Sequence, residues 1–134
     1  NSTEFDKKTR YPVIVLMESQ RAIKRKGGTM RLGAYDCKIE TGTKTFSAYR
    51  KKNISERHRH RWEVNNRYRD RLEKNGLKIS GINKELNLVE IIELPDHPWY
   101  VAGQFHPELK SRVSKAHPLF REFIKASVKH LNGK

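Results

Sequence analysis

The chain is short of several things, and each shortage excludes something. It holds one cysteine, Cys37, in 134 residues, so no disulfide can close within it, and a reducing compartment suits it. No apolar run approaches the ~20 residues of a membrane-spanning helix. The opening residues, Asn1 to Asp6, have the character of neither a signal nor a transit peptide. Methionine is absent from position 1, so either the chain is processed or residues precede Asn1. Hydrophobic residues make up only 35%, against roughly 45–50%, glycine included, in an ordinary globular domain. A thin core follows, with apolar surface that something else must cover. Acidic residues are scarce beside basic ones, 15 against 29, for a net charge of +14. That imbalance favours nucleic acid, anionic lipid or polyphosphate as ligands, although a solvated basic surface, or one half of a larger protein, is the simpler reading. There is no P-loop, no dinucleotide fingerprint and no glycine-rich elbow around a serine or cysteine.

What is present reads as one α/β domain with no internal repeat and no linker. Tyr11 to Met17 is an apolar, β-branched run typical of a buried strand. Glu18 to Gly28 has loop chemistry. Thr29 to Glu40 predicts one or two strands broken at Gly33, followed by a turn over 41–45. Phe46 to Lys52 fits a short helix or strand. Arg67 to Asn75 predicts a helix closed by Gly76. Leu77–Gly81 and Leu86–Leu94 predict a strand pair, and Tyr100 to Phe105 a further strand. His117-Pro118 opens a last helix whose apolar face runs through Leu119, Phe120, Phe123, Ile124, Ser127, Val128 and Leu131.

Chemistry concentrates at Phe105-His106-Pro107-Glu108. An imidazole with a carboxylate beside it is two thirds of a nucleophilic triad, because the acid fixes the tautomer of the base and supports its protonated form. The preceding strand should present the pair at its C-terminal end, where open α/β sheets bind ligands. If the segment stays extended, both side chains share one side. Cys37 lies between Asp36 and Lys38 in a strand-like stretch, which suits a small buried hydrophobe better than a nucleophile. Arg57-His58-Arg59-His60-Arg61 alternates two faces if extended. It suits a solvated face, an anion site built from arginine forks, with Trp62 as a stacking platform if the anion is a nucleic acid, or a weak His-x-His metal site. Gly27 to Gly33 is glycine-rich enough to approach an anion with backbone N–H groups, but its spacing favours a loop entering a strand.

Taken in order, Asn1–Phe5, Gly27-Gly-Thr-Met-Arg-Leu-Gly33, Glu56-Arg-His-Arg-His-Arg61, Glu63–Asn66, Leu88–Glu93, His97–Trp99, Gln104–Glu108 and His117–Phe120 resemble the C-terminal half of the glutaminase domain of the CTP synthase family. The resemblance spans essentially all 134 residues. It implies an α/β class I glutamine amidotransferase (flavodoxin-like) fold, C-terminal portion only, with a mixed sheet and flanking helices. It implies a ligase that hydrolyses L-glutamine and uses the ammonia for ATP-dependent amination of UTP to CTP. His106 then corresponds to the general base and acid, Glu108 to the carboxylate that orients it, and Arg61 and Glu4 to contacts with glutamine. Gly27, Gly28, Thr29 and Arg31 belong to a lid loop associated with GTP activation.

Further implications concern what lies outside residues 1–134. The family's nucleophilic cysteine sits on an elbow upstream of Asn1–Phe5, so this segment alone is expected to be inactive. ATP, UTP and Mg²⁺ belong to a synthetase domain, and the segment itself is expected to hold no metal or cofactor. A cytoplasmic homotetramer without membrane or nucleic-acid partners is expected. The alternatives are a degenerate, non-catalytic amidotransferase paralogue and a basic module that binds RNA or another polyanion.

Overall fold

The computed structural model describes residues 1–16 and 30–133. The first strand is β1 (Ile14–Leu16), followed by β2 (Arg31–Ile39), helix α1 (Lys44–Tyr49), β3 (Asn53–His60) and β4 (Trp62–Val64). Then come α2 (Arg69–Lys74), β5 (Lys78–Asn83), β6 (Leu88–Glu93), β7 (Val101–Gly103) and α3 (Pro118–Asn132). One-turn 3₁₀ segments occupy Asn66–Tyr68 and Pro107–Lys110. Five strands form an antiparallel sheet in the order β3-β2-β5-β6-β7, and β1 pairs with β4 in a separate antiparallel ribbon. A parallel bridge joins Ser2 to Ile14, which makes the pairing mixed. No described helix is long and apolar enough to cross a membrane.

Most elements fall where sequence chemistry puts them. Thr43 caps α1 by accepting from Phe46 N, and His117 with Pro118 starts α3. Gly76, at φ 88°, follows α2 in the left-handed conformation that glycine adopts without steric cost. Gly33 also has positive φ, 94°, yet it does not divide the strand. Its pairing with His58 continues the β2–β3 register on both sides. The helix expected over 67–75 is shorter, because Asn65 first caps a 3₁₀ turn.

The divergence of two strands within the sheet sets the position of the site. β2 pairs with β3 from Arg31 to Lys38, but it meets β5 only at Lys38–Ile82 and Ile39–Gly81. The first part of β2 therefore diverges from β5 and opens a wedge between two arms, β2/β3 and β5/β6. The chain leaving β7 crosses that wedge. Gln104 N donates to Glu90 O on one arm (2.8 Å), and His106 N donates to Arg57 O on the other (2.8 Å). Phe105, between them, is buried.

The core proper is small: Cys37, Ile39, Ala48, Ile91, Phe105 and Leu119, with Phe46, Tyr49, Ile54, Trp99 and Val101 packed against it. The apolar stripe of α3 forms as read, but beyond Leu119 it stays in solvent. Phe123 is 52% exposed, Ile124 58% and Leu131 72%. Together with exposed Phe5, Leu109 and Val113, this is the uncovered apolar surface that the low hydrophobic content implies.

Candidate active site

His106 and Glu108 meet, though not by the route the sequence suggests. The strand stops at Gly103, and Pro107 starts a 3₁₀ turn that carries Glu108 back toward the ring. His106 Nδ1 lies 2.6 Å from Glu108 Oε1. The carboxylate can only accept, so Nδ1 carries the proton and Nε2 is the basic nitrogen in the neutral ring. The hydrogen bond from His106 holds the Glu108 carboxyl below its usual range. Both side chains are solvent-accessible, 39% and 57%. An oriented imidazole at an open surface, with its backbone pinned to both arms of the sheet, is suited to taking and returning a proton.

The other sequence-selected residues sort into three groups. Arg61 sits at the β3–β4 junction, half-buried, four residues beyond the Arg57 carbonyl that holds His106. Glu4 lies in an exposed N-terminal turn, its N–H donating to Ser2 Oγ. Ser2 bridges to Ile14, at the end of the β1–β4 ribbon where Ile14 pairs with Val64, whereas Arg61 precedes Trp62 at the opposite end. No hydrogen bond among the described residues joins Glu4 to His106. Gly27, Gly28 and Thr29 lie outside the described residues.

Arg31 departs from the loop role. It is the first residue of β2, 2% exposed, and is bound to Glu90 Oε1 at 2.6 Å and to Glu63 Oε1 at 3.5 Å. It also lies 4.2 Å over the Tyr35 ring. A guanidinium spent on two buried carboxylates and an aromatic face is not presented to a ligand.

The alternation in Arg57–Arg61 is observed. Arg57 and Arg59 are exposed, whereas His58 is buried and His60 partly so. The histidines are spent on each other, with His58 Nδ1 2.9 Å from His60 Nε2, and among the described residues no His, Cys, Asp and Glu grouping could hold a metal. Cys37 is 1% exposed, and burial, with Glu90 and Glu56 nearby, pushes its thiol up to about 12. A thiol that stays protonated in a core is no nucleophile.

Sequence reasoning missed a second imidazole–carboxylate contact. Buried Glu56 Oε1 accepts from Tyr49 OH (3.0 Å) and lies 3.1 Å from His117 Nε2. His117 Nδ1 accepts from Leu119 N, which leaves the proton on Nε2 for Glu56. Burial raises the Glu56 carboxyl, but the hydrogen bond and charge of His117, helped by Lys110 and Tyr49, outweigh it and hold the group below its ordinary range. This clasp joins β3, α1 and α3. Its only signals in the sequence are a glutamate and a histidine 61 positions apart, which no local pattern connects.

The site is thus an exposed imidazole hydrogen-bonded to a carboxylate on a strand-to-turn junction. Residues 4–126 match the family model described as glutamine amidotransferase class-I, and the chain belongs to that family. Within the family the similarity is to CTP synthase, in sequence and in structure. The chain is 59% identical over 131 residues to the CTP synthase of Trichlorobacter lovleyi and 61% over 127 residues to that of Methanosphaera stadtmanae. These matches cover 98% and 95% of this chain but 24% of each relative, so the chain spans about a quarter of their length. The solved Trypanosoma brucei CTPS glutaminase domain with bound acivicin superposes with a TM-score of 0.87 at 36% identity, over 96% of this chain and 50% of that one. A putative GMP synthase protein from Thermoplasma acidophilum shares the fold, with a TM-score of 0.55 at 18% identity over 80% of this chain and 50% of that one.

Proposed function

We propose that the chain is the C-terminal half of a glutaminase domain in a CTP synthase, hydrolysing glutamine so that the ammonia aminates UTP. The observation that carries this is the His106–Glu108 pair, with its 2.6 Å contact, held on a chain that belongs to the class I family. His106 Nε2 takes the proton of a cysteine thiol, the thiolate attacks the glutamine amide carbon, and the imidazolium returns the proton to the departing ammonia. The same nitrogen then deprotonates the water that resolves the thioester. Glu108 keeps the ring in the required tautomer. Arg61 binds the glutamine α-carboxylate by a bidentate fork, and Glu4 its α-ammonium.

The nucleophile comes from outside these 134 residues, since Cys37 is buried and protonated. The rest of the domain covers the exposed stripe of α3. ATP, UTP and Mg²⁺ act in a separate synthetase domain, and GTP activates through the loop containing Gly27, Gly28 and Thr29. The whole enzyme is a cytoplasmic homotetramer. The test is glutamate release by the intact protein: activity is expected, and His106→Ala should reduce kcat at least ~10²-fold, the scale of general acid–base catalysis. Unchanged kcat would reject the assignment.

A further inference from the structure

Beneath the base lies a buried group of titratable side chains that the proposed reaction does not use. It fills the wedge between the two arms of the sheet. Glu90 of β6 is 1% exposed and His58 of β3 2%. Their nearest polar atoms, His58 Nε2 and Glu90 Oε2, are 3.3 Å apart, and neither has another hydrogen-bond partner among the described residues. Among the described residues, the other titratable groups facing this pair are Arg31, Tyr35 and Cys37 from β2, His60 from β3, Glu63 from β4 and His106 itself.

The protons in this group can be placed by elimination. His60 Nδ1 lies 3.0 Å from the Trp62 carbonyl oxygen. A carbonyl only accepts, so His60 Nδ1 carries a hydrogen. In a neutral His60 ring Nε2 is then an acceptor, and it lies 2.9 Å from His58 Nδ1. His58 Nδ1 must therefore donate. In a neutral His58 ring Nε2 is left as a lone pair facing the Glu90 carboxyl. Two buried acceptors at 3.3 Å repel unless a proton lies between them.

Charge balance asks for one proton on the two carboxylates; burial raises Glu63 to about 7 as well, but it is Glu90 that meets a bare imidazole nitrogen at 3.3 Å, and this contact selects it. Arg31 offers one positive charge to two buried carboxylates, Glu90 and Glu63. One further proton makes the group neutral, and an uncompensated buried charge is costly. Burial raises the Glu90 carboxyl against the opposing pull of Arg31, and it lowers His58 to about 3 with help from Arg31 and His60, so the carboxyl side is the better holder.

We infer that one proton, additional to those of the two neutral rings, is held between Glu90 Oε2 and His58 Nε2 at neutral pH, and that this bond makes Glu90 a positioning residue for His106. The route is short. Glu90 O holds Gln104 N, Arg57 O holds His106 N, and the His58 ring lies edge-on to Phe105 with centroids 6.0 Å apart. A bond from the Glu90 side chain to His58 ties together the two arms on which the base hangs. Losing it lets the arms separate and carries His106 away from the nucleophile.

The positioning role rests on the glutaminase reading; the proton does not. Both are tested in the intact protein with Glu90→Gln and Glu90→Ala. Glutamine at 90 can accept from Arg31 with its oxygen and donate to His58 Nε2 with its amide nitrogen, reproducing the protonated acid. Glu90→Gln should keep kcat for glutamine within ~3-fold, and Glu90→Ala should lower kcat at least ~10-fold with KM within ~3-fold. Equal damage from the two variants would overturn the positioning role. The proton is read separately by ¹⁵N spectra of histidine-labelled protein at neutral pH. His60 and His58 should both carry their hydrogen on Nδ1, with His58 Nε2 shifted as the acceptor of a strong hydrogen bond, in the wild type and in Glu90→Gln alike. A wild-type His58 with its hydrogen on Nε2, given to an ionised Glu90, or with Nε2 bare and without a hydrogen-bond donor, would refute the additional proton. Wild-type protein with no glutaminase activity would overturn the positioning role together with the proposed function, while the ring spectrum would still decide the proton.

Discussion

Removing the Glu93 carboxylate should unfasten α1 and, through it, the region around the base. Glu93 ends β6 and is 2% exposed. Its Oε1 accepts from Lys44 N at 2.9 Å, and its Oε2 from Thr45 N at 3.0 Å and Thr45 Oγ1 at 2.7 Å. In Glu93→Ala the Thr45 hydroxyl keeps Ser80 Oγ, 2.8 Å away, and Lys44 N is near enough to solvent to find water. Thr45 N has neither option, since Thr45 is fully buried. One orphaned buried donor costs ~1–3 kcal/mol, and losing the charge-assisted bonds to the other two donors adds ~1–2 kcal/mol, about 4 kcal/mol in all. Glu93→Gln keeps one acceptor oxygen and should cost about half, ~2 kcal/mol. A six-residue helix cannot stand without such support. Amide exchange in the intact protein reads this directly. Lys44 and Thr45 should lose protection in Glu93→Ala, and Tyr49 and His117 should follow, because Tyr49 holds Glu56. Unchanged exchange at Thr45, or a urea midpoint shift worth under ~1 kcal/mol, would show that Glu93 does not anchor the helix.

Other outcomes follow from the same geometry. Arg61→Ala should raise KM for glutamine more than it lowers kcat, because a carboxylate fork acts in the ground state as well; a pure kcat effect in steady-state assays would argue against that role. Gly81→Ala places a Cβ 2.8 Å from Cys37 Sγ and from Ile91 Cγ1, so overpacking should cost ~1–3 kcal/mol in urea unfolding. Glu56 has a depressed folded pKa, so its stabilising contribution is complete above the unfolded carboxylate range and fades as pH falls through the folded value. His117→Ala should therefore move the acid unfolding midpoint, followed by circular dichroism, to higher pH. Glu108→Gln should lower kcat while leaving KM within ~3-fold, since in the proposed reaction the acid orients the base and does not touch substrate.

Local chemistry made much of this legible beforehand. The N-terminal cap at His117-Pro118, the Gly76 terminator, the strand pair around Asn83–Glu85 and the alternation of Arg57–Arg61 rest on rules that act within a few residues, and the fold keeps all of them. The His106–Glu108 pairing was readable for the same reason, although its backbone is a 3₁₀ turn rather than an extended strand. The buried ion pairs of Arg31 were not legible because its partners, Glu63 and Glu90, lie far along the chain. The Glu56–His117 contact and the wedge between β2 and β5 were invisible on the same ground. One joins residues 61 positions apart and the other is set by where β2 leaves β5, and no periodicity records either. The helix stripe of α3 shows the converse: amphipathic spacing correctly predicted a helix, but it does not say what covers the apolar side.

The proposed chemistry stands or falls on His106 serving a cysteine that these 134 residues do not contain. That pairing can be probed by treating the intact protein with a glutamine analogue bearing an electrophilic ketone in place of the amide, then locating the adduct by peptide mass spectrometry. One adduct is expected, on a cysteine outside this segment, forming at least ~10-fold more slowly in His106→Ala. An adduct on Cys37, or a labelling rate indifferent to His106, would mean that His106 is not the base of this reaction.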